Sequence, residues 1–207
     1  MYFGQQPQVM KFLVAVALVA SASAFAPVRQ TTRSVKSAPQ MSVFDNYVGG
    51  SGGFGEYNFD PLGFAEKSPE MVPWYREAEL KHGRIAMLAT LGYSAVSLGL
   101  HLPGPMYEGI SPANAHNAFI SNGPMQQLLL WIGVFETIIG IPALKATMNG
   151  ERAPGDFNFG TTFAPTDPAK FKQKQLAELK NGRLAMLAFG GMVTQAQLTG
   201  NEFPFFY

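Results

Sequence analysis

The sequence predicts an all-α membrane protein with three transmembrane helices, the first and third crossing as a pseudo-two-fold pair. Three observations predict it. A twelve-residue stretch occurs twice, 99 positions apart: Ala78–Ala89 reads A-E-L-K-H-G-R-I-A-M-L-A and Ala177–Ala188 reads A-E-L-K-N-G-R-L-A-M-L-A. Three apolar runs end at Pro or Gly. Charged residues make up 14% of the 207 positions and apolar residues 47%, against about 25% charged in soluble domains. That length is ordinarily one domain.

The front of the chain reads as an address. Lys11 precedes the apolar run Phe12–Ala20, and Ser21-Ala22-Ser23-Ala24 supplies the small residues of a signal-cleavage site. The run is shorter than the ~20 residues a span requires. Phe25–Gln40 is rich in Ser, Thr and bases and contains no acid, which is transit-peptide composition. Residues 1–24 are therefore expected to be a signal peptide, 25–40 an organelle transit segment (a plastid transit segment by the resemblance of the Ala22–Pro27 junction) and 41–207 the mature domain. Together the first two would form a bipartite presequence, with a plain secretory signal as the competing reading. The junction A-S-A-F-A-P at Ala22–Pro27 resembles that of plastids acquired from a red alga. Residues 1–44 hold four bases and no acid, whereas 45–207 hold eleven bases against fourteen acids. A mature region that is net acidic has no basic nucleic-acid surface. The absence of Cys excludes disulfides, zinc fingers and thiol catalysis.

The first helix is expected over about 74–100, following Pro73 and stopped by Pro103-Gly104-Pro105. At roughly 40 Å it exceeds the ~30 Å hydrocarbon core, so its polar N-terminal half must tilt or project. The second is expected over about 125–141, started by Gly123-Pro124 and stopped by Pro142; Glu136 is its one charge. The third, about 167–198, opens on Thr166-Asp167-Pro168, an N-cap with Pro at the first position. Trp74, Tyr75 and Phe171 suit a membrane interface. Met87 and Met186 suit packing, and His101 and His116 a solvated connection.

Charges inside such segments are costly and need a reason. One span separates the copies, so the first and third helices run in the same direction. Glu79 and Arg84 are five apart and do not face each other on one helix. Across a two-fold, Glu79 reaches Arg183 and Glu178 reaches Arg84, with Gly83, Gly182, Ala86 and Ala185 permitting close approach. Each neutralised carboxylate keeps free lone pairs, His82 offers a ring nitrogen, and Asn181 an amide oxygen. Two donors per helix, about one turn apart, are too dispersed for a metal cage. They suit the single axial position of a magnesium tetrapyrrole, since magnesium takes oxygen readily. The plainer reading keeps the Glu–Arg pairs as helix locks alone.

At E-x-x-H-G-R and E-x-x-N-G-R the chain resembles the light-harvesting chlorophyll-binding proteins, specifically the fucoxanthin–chlorophyll a/c antenna branch, over about Gly55 to Leu198. The resemblance implies chlorophyll-magnesium ligation by Glu79, His82, Glu178 and Asn181, with Arg84 and Arg183 as crossing counter-ions. It further implies Glu136 and Gln127 in the middle helix and Gln195 in the third as chlorophyll-binding. Phe59, Asp60, Pro61, Leu62 and Gly63 resemble the family's carotenoid-approach segment. A second copy starts as Gly155-Asp156-Phe157-Asn158-Phe159, aligned with Gly55-Glu56-Tyr57-Asn58-Phe59, and departs at Gly160-Thr161-Thr162-Phe163. By resemblance the cofactors are chlorophyll a, chlorophyll c, fucoxanthin and diadinoxanthin, and the location is the plastid thylakoid membrane. The partners would be thylakoid lipids, neighbouring antenna subunits and a photosystem core, with photosystem I favoured by the W-Y-R-E-A-E-L-K-H-G-R wording. The implied task is excitation transfer without catalysis. Two alternatives remain at this point. One is an energy-dissipating relative, for which Glu108, His101 and His116 are the acid-sensing candidates. The other is a proton or solute carrier using intramembrane Glu residues.

Overall fold

A computed structural model describes residues 59–159 and 164–205, together with Phe44, Tyr47–Gly49, Ser51–Gly52 and Gly55–Glu56. All lie in the second of the chain's two units, Met41–Tyr207. The expected signal and transit segments fall outside the described residues, as does Gly160-Thr161-Thr162-Phe163.

The regular structure of the described residues is helical apart from one short antiparallel pair, β1 (Ser51–Gly52) and β2 (Gly55–Glu56), with Ser51 opposite Glu56 and Gly52 opposite Gly55. Next comes a capped turn. Gly63 takes a left-handed φ of 66°, and the Asp60 carboxylate accepts from the backbone N–H groups of Phe64 (2.9 Å) and Ala65 (2.8 Å). Those donors open the short helix α1 (Phe64–Lys67) and would otherwise have no partner. Lys67 closes the segment by donating to the Leu62 carbonyl at 2.9 Å. A 3-10 turn, Pro69–Met71, leads into α2 (Val72–Ser97).

Helix α2 stops before the expected Leu100. Gly99 adopts φ 90°, the Gly99 N–H donates to Val96 O (2.9 Å), and the Leu100 N–H donates to Ala95 O (3.0 Å). Such paired closure around a left-handed Gly satisfies the last carbonyls. In the connection, where the sequence predicts a solvated loop, α3 (Ala115–Asn122) is a helix, and it carries His116.

The middle helix departs most from expectation. It begins at Pro124, after Gly123 with φ 97°, and runs as α4 (Pro124–Phe135). It does not stop at Ile141. A π turn, Glu136–Gly140, is followed directly by α5 (Ile141–Met148), which carries Pro142 in its first turn. Pro142 would clash with the carbonyl four residues back in a regular helix. The wider π turn, in which the Ile141 N–H reaches back to Glu136 O, lets the chain accommodate the ring and continue. Finally, α6 (Pro168–Thr199) starts under an Asp167 cap that accepts from Ala169 N at 3.0 Å and ends at left-handed Gly200.

Of three expected spans, one among the described residues is by itself long and apolar enough to cross a membrane, the continuous 25-residue helix Pro124–Met148. Helices α2 and α6 are longer, at 26 and 32 residues, but carry Glu77, Glu79, Lys81 and Arg84, or Glu178, Lys180 and Arg183. Composition counts those charges as unpaired; the folded chain pairs most of them across helices. The interior accordingly holds small residues such as Ala86, Ala185 and Ala196, whereas Ile85, Leu88, Leu91, Leu184 and Leu187 point outward. Most large apolar side chains lie outside and, Val72, Tyr93 and Leu179 apart, small ones inside, which inverts the usual soluble arrangement.

Candidate functional site

The site is built where α2 and α6 touch. Gly83 and Gly182 face each other so closely that a Cβ added to either would stand 3.0 Å from the other's Cα. The helices run in the same direction through this contact: further along, Thr90 Oγ1 lies 3.4 Å from Ala185 O, and the Tyr93 and Phe189 rings meet edge-on at 6.3 Å. The two cross-helix ion pairs expected from the repeat both form. Arg84 Nε donates to Glu178 Oε1 at 2.6 Å, and Arg183 Nε donates to Glu79 Oε1 at 2.7 Å.

Each guanidinium uses a second arm on a preceding segment. Arg84 Nη1 donates to Gly155 O at 2.8 Å, and Arg183 Nη1 to Gly49 O at 3.3 Å. Both glycines have positive φ, 76° and 110°. A Cβ on Gly155 would strike Leu80, and one on Gly49 would strike Leu179, the same position in the other copy. The counterpart of Gly155 at the crossing is thus Gly49 rather than Gly55, the partner read from the sequence. The 99-residue spacing of the repeat is not kept by these segments, and the sequence pattern instead pairs Gly155 with a similar pentapeptide.

A third pair links the middle helix. Lys81 Nζ donates to Glu136 Oε2 at 2.6 Å. Gly140 makes the room: a Cβ there would lie 2.1 Å from Glu136 Oε2. All three candidate ligand carboxylates, Glu79, Glu136 and Glu178, are therefore neutralised by a base from a different helix. Sequence reading found two of these bases and missed Lys81. The signal was Glu136, the one acid in an otherwise apolar middle helix, which needs a cation.

The remaining donors are set differently. His82 Nδ1 lies 2.8 Å from Ala78 O. A carbonyl can only accept, so Nδ1 carries the ring proton and Nε2 presents its lone pair outward. Ligating histidines are commonly fixed in this way. Asn181 is exposed, as is Gln127, and Gln195 is half-buried. Among the described residues no three His, Asp or Glu side chains gather as a metal cage; the donors stand singly, beside outward Leu and Ile. That arrangement suits a flat apolar molecule whose metal asks for one axial ligand and brings its other ligands with it. Phe59, Asp60, Pro61, Leu62 and Gly63 form the capped turn before α1, with Phe59 and Leu62 exposed.

The sequence reading also missed Glu77, whose side chain is 2% exposed. Its Oε2 accepts from Gly155 N at 2.6 Å and lies 2.8 Å from Arg152 Nη2, while Thr147 Oγ1 stands 3.4 Å away. Arg152 is fixed in turn by Thr147 Oγ1 (3.1 Å), by Ala143 O (3.2 Å) and by the Asp156 carbonyl, with its guanidinium 4.7 Å from the centre of the Phe157 ring. Glu77 stands one residue before the repeat, outside the pattern that drew notice to Glu79.

Comparison with known proteins gives the family. Residues 44–197 match the family described as Chlorophyll A-B binding protein. A fucoxanthin-chlorophyll a-c binding protein, chloroplastic, of Chattonella marina var. antiqua is 36% identical over 195 residues, covering 90% of this chain and 87% of that one. Fucoxanthin-chlorophyll a-c binding proteins F and A of Phaeodactylum tricornutum are 36% and 35% identical over 207 residues, covering 94% of this chain and all of theirs.

Proposed function

The chain belongs to the chlorophyll A-B binding protein family and is a light-harvesting antenna protein; from that premise we propose how its residues hold pigment. The pigments are chlorophyll a, chlorophyll c and fucoxanthin, following the names of its relatives, together with diadinoxanthin. Bound chlorophyll supplies light absorption and carries the excitation; the chain supplies no reaction and fixes distance, orientation and surroundings. The chain is imported into the plastid with residues 1–40 as presequence and resides in the thylakoid membrane as three helices. Helices α2 and α6 cross there as a pseudo-two-fold pair. It passes excitation to a photosystem core, with photosystem I the favoured partner, among neighbouring antenna subunits. Intact mass of the thylakoid-resident protein should lack residues 1–40.

His82 through Nε2, Asn181 through its amide oxygen, and Glu178, Glu79, Glu136 and Gln195 through side-chain oxygens hold chlorophyll magnesium. Gln127 supports a further site in the middle helix. The observation that carries this reading is that in Glu178 and His82 charge and ligand duties fall on separate atoms. Arg84 takes Glu178 Oε1, and the Ala78 carbonyl takes the His82 ring proton. In each residue a donor atom is left that needs no proton removed before it can bind. Outward Leu88, Leu91 and Leu187 offer apolar walls and exclude water from the ring face. Phe59 to Gly63, held rigid by the Asp60 cap, approach the carotenoid.

The test is refolding of the chain with chlorophyll a, chlorophyll c and fucoxanthin, followed by absorption and fluorescence-excitation spectra. Fucoxanthin-sensitised chlorophyll emission is expected. A helical product that emerges without pigment would overturn the reading.

A further inference from the structure

We propose that Glu77 is a positioning residue for the Glu178 site, acting through the backbone of Gly155 and the guanidinium of Arg84. The proposal rests on the reading of Glu178 as a pigment ligand. A continuous path joins the two carboxylates. Glu77 Oε2 accepts from Gly155 N (2.6 Å), Gly155 O accepts from Arg84 Nη1 (2.8 Å), and Arg84 Nε donates to Glu178 Oε1 (2.6 Å). Glu77 thus clamps the same residue whose carbonyl aims Arg84. Gly155 cannot be relaxed by side-chain substitution, because a Cβ there would stand 2.5 Å from Leu80 Cδ1 at a φ of 76°.

The energetics argue for a task beyond joining helices. Glu77 Oε1 is buried and without a hydrogen-bond partner among the described residues, which carries a desolvation penalty. An apolar pair of similar volume would join α2 to α5 with less desolvation. In the second copy the matching position is Leu176. The crossing is lopsided in just this respect. Arg84 is held by a braced carbonyl at 2.8 Å and Arg183 by Gly49 O at 3.3 Å. Glu79 has instead a second guanidinium, Arg76, 3.3 Å from its Oε2. Glu178 thus depends on one well-aimed guanidinium, and Glu77 does the aiming.

The experiment refolds the full chain with chlorophyll a, chlorophyll c and fucoxanthin and reads absorption bands and pigment release. A reference double variant, Arg84→Leu with Glu178→Leu, identifies the band belonging to the Glu178 site; His82→Ala identifies another. Two further double variants each remove the buried charge pair as a unit. Glu77→Gln with Arg152→Gln keeps an acceptor for Gly155 N, whereas Glu77→Leu with Arg152→Leu does not. The Leu pair should shift or weaken the Glu178 band, with release faster on the order of tenfold as for outer ligand supports elsewhere. The His82 band should stay, and the Gln pair should resemble the unsubstituted chain. An unmoved Glu178 band in the Leu pair overturns the proposal, and so does equal loss of all pigment in both pairs, which would make Glu77 a helix lock. If the reference variant loses no chlorophyll, the ligand reading itself fails and takes this proposal with it.

Discussion

In the first copy of the repeat Lys81 reaches the middle helix at Glu136, and Glu77 just before it reaches Arg152 beyond α5. In the second copy Lys180 is exposed and Leu176 stands where Glu77 would be. Across the crossing, by contrast, the copies behave alike: Gly83 faces Gly182, and each Arg takes the other helix's Glu. The shared residues thus encode the helix contact, which needs both halves to match. The residues that differ, in kind or in use, encode attachment of the middle helix, which only one half performs. A repeat inside one chain can keep a common interface and still give its halves different neighbours.

The largest expected effect comes from unbalancing the crossing. Arg84→Leu strands Glu178 and frees Gly155 O, whereas Arg183→Leu leaves Glu79 with Arg76 at 3.3 Å. Arg84→Leu should be the worse by about 1–2 kcal/mol. That lies below the ~3–5 kcal/mol of a fully buried pair, since both partners are about one-third exposed in the protein alone. Denaturation midpoints of pigmented protein measure it. Glu79→Gln added to Arg183→Leu should recover part of the loss, because the amide is neutral and keeps an oxygen. Equal midpoints for the two Arg variants would show the crossing to be energetically symmetric.

Next, Gly83→Ala and Gly182→Ala should cost similar amounts, about 1–3 kcal/mol each as overpacking does elsewhere, so the difference between the copies is smaller than for the two Arg variants. Each added methyl meets backbone at 3.0 Å that no side-chain rotation relieves. A large difference between the two would mean that one helix yields and the other does not. Smaller again is the effect on the asymmetric face. Lys81→Ala should loosen the middle helix, detectable as faster amide exchange in α4, whereas Lys180→Ala should change nothing measurable. Identical exchange in both would remove Lys81–Glu136 as an attachment.

What was legible in the sequence follows the same division. The crossing could be read because E-x-x-H-G-R and E-x-x-N-G-R repeat at a fixed interval, and an ion pair five residues apart must look to another helix. The first and third helices were visible in Pro, Asp and Gly signals at their ends. The middle helix was cut short because Pro142 is a breaker in a regular helix, and nothing local announces the π turn that carries the chain past it. Glu77 and Lys81 went unassigned because their partners, Arg152 and Glu136, are distant in sequence and belong to no repeat. Gly155 was paired with Gly55 since G-D-F-N-F resembles G-E-Y-N-F, whereas contact with Leu80 and Arg84 selects Gly49 as its counterpart.

The gentlest comparison separates ligand from scaffold. His82 and Asn181 occupy the one polar position at which the two copies differ. Neither belongs to an ion pair, so alanine at either should leave both Glu–Arg bridges intact. The His82 ring makes one backbone contact, to Ala78 O, whose loss costs little because that carbonyl remains the natural acceptor of the helix. Far-ultraviolet circular dichroism should therefore be unchanged in both variants. Pigment should not be: about one chlorophyll per protein should be lost or loosened in each, since an axial ligand serves one magnesium. The bands lost should differ, imidazole and amide being different donors in different surroundings. His82→Asn sharpens the comparison further, because it makes the first site chemically like the second. It should keep its chlorophyll with a shifted band. Unchanged chlorophyll content in His82→Ala and Asn181→Ala alike would leave both as packing residues beside the crossing, and the one polar difference between the copies would then carry no pigment chemistry.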